Sequence, residues 1–414
     1  MIDVVLAVCV AVAAVATVYG LYFVIMALPL SPLPRQPDPA SDAVHRFAVL
    51  VFAKDEAAVI GQLVASLRTQ DYPADAFDVF VTADNCTDDT AAVAAGGGAI
   101  VWERADPDQV GKGHALRWFF DRFRVECAGR YDACAVFDAD NVVDPGFLAA
   151  INRELNRGHE IVIGRRLPKN PADSAVAGAS AVFWLFQTRM FHAGRARRGL
   201  PCTSVGGTGF AFKVDVLPNG RWHTRSTSED IEFALHSIAD GHSIALTYDA
   251  VFYDEQPLTW GQSIKQRFRW TVGGLQMLRY GTPRLLRTFR RRWRTNYDAL
   301  IFSVGALESG LSLVASALIM VVVGVKTGQW PLLGASMAVG CVVSYLAVAV
   351  VAWVTLRLER QWWDGAWRAV AAFPIYMATW MAMYLVVLFY HSPRWHTIPH
   401  TRALSLEEIA PTAR

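Results

Sequence analysis

The chain has 414 residues, 53% of them apolar and 18% charged, and its 39 basic and 37 acidic side chains leave a net charge of +2. That balance, with no long basic patch interleaved with aromatics, excludes a nucleic-acid binder. Apolar residues gather toward both ends and polar ones toward the middle, which points to a membrane protein carrying one large aqueous domain.

Residues 1–28 hold an apolar stretch long enough to cross a bilayer as a helix. Its only early charge is Asp3, it lacks the basic leader of a cleaved signal, and it is too long for an h-region, so it reads as an uncleaved anchor. A Pro-rich linker, 29–45, follows. Arg35, Arg46 and Lys54 then place the next domain in the cytoplasm by the positive-inside rule.

Residues 46–256 alternate strand-like and helix-like patterns, as α/β domains do. Apolar runs at 47–52, 79–83, 135–137 and 160–163 read as parallel strands covered on both faces, with helical patterns at 59–69, 113–123 and 145–157 between them. Acids fall where strands end: Asp55-Glu56, then Asp84, then Asp138-Ala139-Asp140. An open parallel sheet binds ligands beyond the carboxyl ends of its strands, so three strands deliver carboxylates to one polar cleft. Asp138 and Asp140 can both turn toward a hard cation, Mg²⁺ or Mn²⁺, whose remaining positions take diphosphate oxygens and water. Alone, D-x-D is more often a solvated turn; its position at the cleft gives it weight.

Ser228-Glu229-Asp230 opens a helical pattern over 231–239. The acids can simply complement the helix dipole behind a Ser cap. Alternatively they supply a base, held within reach of an acceptor hydroxyl. In the segment 257–297, read as interfacial helices, stands Gln266-Arg267-Phe268-Arg269-Trp270. Arg269 has a planar fork suited to a diphosphate. Trp270 offers a flat face to a sugar ring, and Gln266 both donates and accepts hydrogen bonds.

Two membrane spans are predicted within 298–356, flanked by Arg290, Arg291, Arg292 and Arg294 before and by Arg357 and Arg360 after. The segment 357–392 carries Pro374 and a run of Trp and Tyr, and reads as interfacial or re-entrant; a further span would put the tail 393–414 outside. Six cysteines with no C-x-x-C pair read as reduced thiols without a metal role. A glycosidase also needs two carboxylates, but leaves Gln266-x-x-Arg269-Trp270 unexplained. No G-x-G-x-x-G follows the first strand, which disfavours a dinucleotide-dependent reductase.

Taken in order, Asp55-Glu56, Asp84, Asp138-x-Asp140, Ser228-Glu229-Asp230 and Gln266-x-x-Arg269-Trp270 resemble the membrane-integrated family 2 glycosyltransferases, which include cellulose, chitin and hyaluronan synthases. The match runs from about residue 47 to residue 273. It implies a GT-A (nucleotide-diphospho-sugar transferase) α/β domain with transmembrane and interfacial helices, a UDP-sugar donor, and inversion to a β-linkage. It further implies that Asp55, Glu56 and Asp84 hold the uridine, with Lys112 nearby, and that Asp138 and Asp140 contact ribose and metal. Asp230, beside Glu229, would be the base, and Arg269, Trp270 and Gln266 would hold diphosphate and acceptor. Gly207 and Thr208 resemble part of the family's glycine segment near the acceptor, and Trp395, Thr397 and His400 its gating segment. Two positions depart from the pattern: Ser228, where Thr is usual, and Asp55, where many members have Asn. The implied product is a β-linked polysaccharide made processively or a single sugar on a membrane lipid of the ceramide or diacylglycerol type. The implied location is the plasma membrane, multi-pass, with the catalytic domain cytoplasmic. The partners are then the donor, the acceptor and the bilayer, and no protein partner is indicated.

Overall fold

The computed structural model of the chain describes residues 2–28, 33, 39, 41–390 and 400–409. After the apolar helix α1 (Ile2–Ala27) come β1 (Phe47–Ala53), α2 (Ile60–Arg68), β2 (Phe77–Asp84), α3 (Thr90–Gly96), β3 (Ile100–Arg104), α4 (Lys112–Glu126) and β4 (Ala133–Asp138). β1 is apolar and buried at every position, and successive strand side chains point to opposite faces. Ala48, Leu50 and Phe52 therefore enter one core, with Phe119 and Phe120 of α4, while Phe47, Val49 and Val51 enter another, with Leu63 and Leu67 of α2. The order β3-β2-β1-β4 is parallel throughout. Phe52 lies opposite both Thr82 and Asp138, so the carboxyl ends of β1, β2 and β4 stop nearly level.

The sheet continues differently from the predicted pattern. β5 (Val142–Val143), α5 (Phe147–Asn156), β6 (Ile161–Pro168), α6 (Ala175–Phe186), a π-helical turn over Gln187–His192, α7 (Ala193–Ala196), β7 (Phe210–Lys213), α8 (Glu229–Asp240) and β8 (Ile244–Asp254) complete eight strands. β7 inserts between β4 and β6 antiparallel to both, and β6 runs parallel to β8. The sheet is mixed, and the run expected at 160–163 extends to Pro168 because β8 continues to pair with it beyond an irregularity between Ile163 and Arg165.

A helical layer follows: α9 (Trp260–Tyr280), α10 (Thr282–Thr288), α11 (Trp293–Ser303), α12 (Gly305–Thr327), α13 (Trp330–Glu359), α14 (Ala366–Phe389) and α15 (Leu406–Ile409). The predicted span start at 298 is corrected to Gly305, because the chain breaks helix at Val304. α1, α12, α13 and α14 are each long and apolar enough to cross a membrane. In the apolar windows of the first three only 6%, 11% and 6% of residues are buried, against 39% for α14, so α14 is the most deeply packed of the four.

Its packing explains that burial. At Gly178 of α6 a Cβ would lie 2.7 Å from that of Ala369, so only glycine permits the approach. On α9 the buried Arg267 lies 3.7 Å from the Tyr376 ring and donates to the Tyr376 carbonyl at 2.6 Å. Tyr390, just past α14, stacks on Phe268 of α9 at 6.2 Å. One end of α14 thus meets α6 and the other α9. Asp3 and Lys326 pair at the opposite end of α1 and α12. α14 is a continuous helix through Pro374. The linker 29–45 lies mostly outside the described residues, as do Trp395 and Thr397.

Candidate active site

Where β1 leaves the sheet, Asp55 adopts a left-handed backbone with φ 55°, a conformation that Asp and Asn tolerate better than other side chains. The turn leaves Asp55 exposed, its carboxylate accepting from the Thr87 amide at 2.6 Å. Glu56 lines the cavity instead. At the end of β2, Asp84 is buried and accepts from Arg104 at 2.6 Å. Burial raises its pKa, opposed by the Arg104 guanidinium. At the end of β4, Lys112 donates to the Asp138 carboxylate and, at 2.7 Å, to the Gly207 carbonyl. Lys112 thereby ties the start of α4 to β4 and to the glycine loop.

Asp140 is buried one turn further on, and Lys169, buried too, donates to its carbonyl at 2.9 Å. Burial, then the negative charges of Asp254, Asp138 and Glu56, raises the Asp140 carboxyl against the pull of His400. His400 Nδ1 stands 2.8 Å from Glu56, and its Nε2 3.6 Å from Asp140. Burial opposes charge on the imidazole, but Asp140, Glu56 and Glu255 together push its pKa up to about 10. Glu255 holds the neighbouring backbone, accepting from the amides of Thr401 and Arg402 at 3.1 Å each.

Glu229 and Asp230 begin α8. Ser228 does not cap that helix; its hydroxyl has no partner and lies against Gly273 of α9, where a Cβ would come within 1.9 Å of it. One step back, Thr227 donates from its amide to Gln276 of α9 at 2.8 Å. The helix bearing Gln266, Arg269 and Trp270 is thus bolted to the segment bearing the acids. Burial raises both carboxyls; Asp230 adds to the rise at Glu229, and Lys112 works against it in each. Ser204 donates to Asp230 at 3.4 Å.

These groups face one cavity of about 390 Å³. Glu56, Asp84, Lys112, Asp138 and Asp140 line its sheet side, and Gly207, Glu229, Asp230, Gln266, Arg269, Trp270 and His400 the rest. Two expected members stand off it. Asp55 is turned to the outer lip, and Thr208, 2% exposed, sits behind Asp138, accepting from its amide at 2.9 Å. Trp270 shows less free face than expected, being packed edge-on against Trp184 at 5.4 Å and near Trp380 at 6.1 Å.

The structure adds residues that sequence reasoning missed. Buried Arg166 donates to the Gly206 carbonyl, pairs with Asp254 at 3.6 Å and stacks 3.7 Å over Trp184. Asp254-Glu255 leave the end of β8, so the rule that found the other acids applied here as well; β8 escaped notice because its burial is broken in the middle.

Asp138 and Asp140 offer hard oxygens on one wall and fit a divalent cation. A trio with ligand atoms within 4.8 Å of one another lies elsewhere, at Asp55, Cys86 and Asp88. It suits a cation less well: burial raises the Cys86 thiol, whereas a metal takes the thiolate, and Asp88 already accepts from the Ala57 amide at 3.1 Å.

Residues 45–273 match the family described as "Glycosyltransferase like family 2". The chain is similar to "Probable glycosyltransferase YdaM" of Bacillus subtilis (strain 168), 26% identical over 245 residues, 55% of each chain. It is 28% identical over 149 residues to "Probable glucomannan 4-beta-mannosyltransferase 7" of Oryza sativa subsp. japonica, covering 35% of this chain and 25% of that one. The matches therefore span about half the length of the first relative and a quarter of the second. Among solved structures, the mannosyltransferase PcManGT from Pyrobaculum calidifontis, in complex with GDP-Man and Mn²⁺, is similar with a TM-score of 0.60 at 18% identity, over 93% of this chain and 99% of that one.

Proposed function

The chain belongs to the glycosyltransferase-like family 2, and from that premise we propose that it moves a sugar from a UDP-sugar to an acceptor hydroxyl with inversion at the anomeric carbon. Its fold is GT-A-like. The observation that carries the reading is the meeting of Asp230, Lys112, Arg269 and the Asp138–Asp140 pair around one cavity.

In this reading Asp230 takes the acceptor proton, and its raised pKa makes it a better base than an ordinary carboxylate. The acceptor oxygen bonds to the anomeric carbon while the bond to the diphosphate oxygen breaks, and the electron pair leaves with the nucleotide. Lys112 and Arg269 supply positive charge where that leaving group develops its own. Glu56 and Asp84 reach the nucleoside end, and Gln266 and Trp270 the acceptor. Asp138 and Asp140 would hold Mg²⁺ or Mn²⁺, which when bound offsets charge on the departing diphosphate.

α1, α12 and α13 cross the plasma membrane in this reading, and α14 lies along its cytoplasmic face. The contacts of both α14 ends with α6 and α9 support that arrangement, as does the Asp3–Lys326 pair at the far end. A β-linked polysaccharide product has the support of the rice relative's name and of Gln266-x-x-Arg269-Trp270. A lipid acceptor is favoured by the bare faces of α1, α12 and α13.

The test is release of nucleoside diphosphate from a panel of UDP-sugars, with GDP-mannose included because the archaeal fold neighbour holds it. Consumption of at least one donor is expected, lost on chelation and restored by Mn²⁺ or Mg²⁺. Failure with every donor would overturn the reading, and full turnover in EDTA would remove the metal.

A further inference from the structure

The cavity has two unlike sides. Besides the acids it is lined by aromatic rings: Phe183, Trp184, Phe191, Trp270, Phe302 and Trp380. They come from α6, the π-helical turn, α9, α11 and α14, the elements that meet the apolar helices. Phe191 packs on Phe23 of α1 at 5.3 Å, Phe302 stands just before α12 begins, and Trp380 belongs to α14 itself.

Two polar side chains in this wall keep an atom without a partner. Arg195, 1% exposed, is pinned through Nε to Asp298 at 2.8 Å, while its Nη2 has none. His192 Nδ1 has none either. An unsatisfied buried polar group costs about 1–3 kcal/mol, a cost that a ligand oxygen removes. Asp298 neutralises Arg195, and burial, aided by Arg195 and Arg166, pushes the His192 pKa down to about 3. Arg195 and His192 therefore present hydrogen-bonding atoms without adding net charge among these rings, an arrangement that suits hydroxyl and carbonyl oxygens.

A polymer crossing the membrane needs a duct walled by helices. Among the described residues α1, α12 and α13 leave almost all of their apolar windows uncovered, and α14 meets α6 at one end and α9 at the other.

We propose that the acceptor is a neutral, hydroxyl-bearing membrane lipid whose apolar part lies along the aromatic wall and whose hydroxyl reaches Asp230. This rests on the transferase reading above. The lipid oxygen bonds to the anomeric carbon, its proton passes to Asp230, and the nucleoside diphosphate departs with the electron pair of the broken bond.

The experiment uses the full chain in phosphatidylcholine vesicles doped, in separate arms, with dioleoylglycerol, ceramide or phosphatidic acid, and supplied with a radiolabelled nucleotide sugar that the protein consumes. Label is expected in the organic extract of the dioleoylglycerol or ceramide arm. Phe302→Ala should lower the ratio of lipid transfer to donor hydrolysis about tenfold. Label in high-mass water-soluble material, label only in the phosphatidic acid arm, or hydrolysis without labelled lipid in any arm overturns the neutral lipid and leaves the transferase reading standing. A wild-type ratio in Phe302→Ala overturns the role of the aromatic wall, and a protein that consumes no nucleotide sugar loses both proposals.

Discussion

The acids and the aromatics share one cavity but are held in place by different means. Asp84 and Asp138 stand at the ends of parallel strands whose register is set by backbone pairing, and each has a basic partner, Arg104 or Lys112. Trp270 and Trp380 stand on helices that touch through rings and through glycines such as Gly178 and Gly273. The difference teaches where substitutions should hurt: on the sheet side they change charge and rate, on the helix side they change packing first and rate through it.

Asp230→Asn, which keeps shape and removes the base, gives the largest expected effect. Turnover should fall about 10²–10⁴-fold, while calorimetry shows the nucleoside diphosphate still binding. Equal turnover in the variant would take Asp230 out of the chemistry. Lys112→Met removes the charge-assisted bonds to Asp138 and the Gly207 carbonyl. We expect kcat/KM to drop about 10–100-fold with little change in Tm, the signature of the sheet side; a large loss of stability would break the contrast.

The helix side is probed by a pair of glycines on α9. A Cβ at Gly273 meets Ser228 Oγ at 1.9 Å, whereas one at Gly261 meets nothing within 4 Å. Gly273→Ala should cost roughly 1–3 kcal/mol by overpacking and lower transfer with it. Gly261→Ala should gain up to about 1 kcal/mol from helix propensity, read in the same thermal melts. Similar melts for the two would show that α9 is not seated on Ser228. The smallest effect is on pH. In the proposed mechanism deprotonated Asp230 is the active form, so rate should rise with pH through its pKa, which burial raises and Lys112 lowers. The acid limb should lie above the ordinary carboxylate range near about 4, and Lys112→Met should move it higher still. A limb that stays put would uncouple the two groups.

The parallel half of the sheet was legible because strands covered on both faces are apolar throughout and end abruptly in acids, as at Phe47–Ala53 before Lys54-Asp55-Glu56. β7 and β8 were not. β7 has four residues, and burial along β8 is interrupted at Tyr248 and Asp249, which blurs its pattern. Within Gln266-Arg267-Phe268-Arg269-Trp270, spacing did not say which arginine faces the cavity. Arg269 lines it, whereas Arg267 is wholly buried against Tyr376, a partner 109 positions away. Thr208 looked like an acceptor contact because it follows Gly207, yet it supports Asp138 from behind. Arg166 and Lys169 carry charges that only the folded sheet brings to the acids.

The contact between His400 and Glu56 joins residues 344 positions apart. A ribosome adding about 5–20 residues per second needs roughly 17–70 s to cover that distance. Once β8 has been made the sheet can fold while Glu56 and Asp140 still lack their imidazole neighbour. The carboxylates of Glu56 and Asp140 are therefore made well before their imidazole neighbour, which arrives only once the chain beyond α14 has emerged.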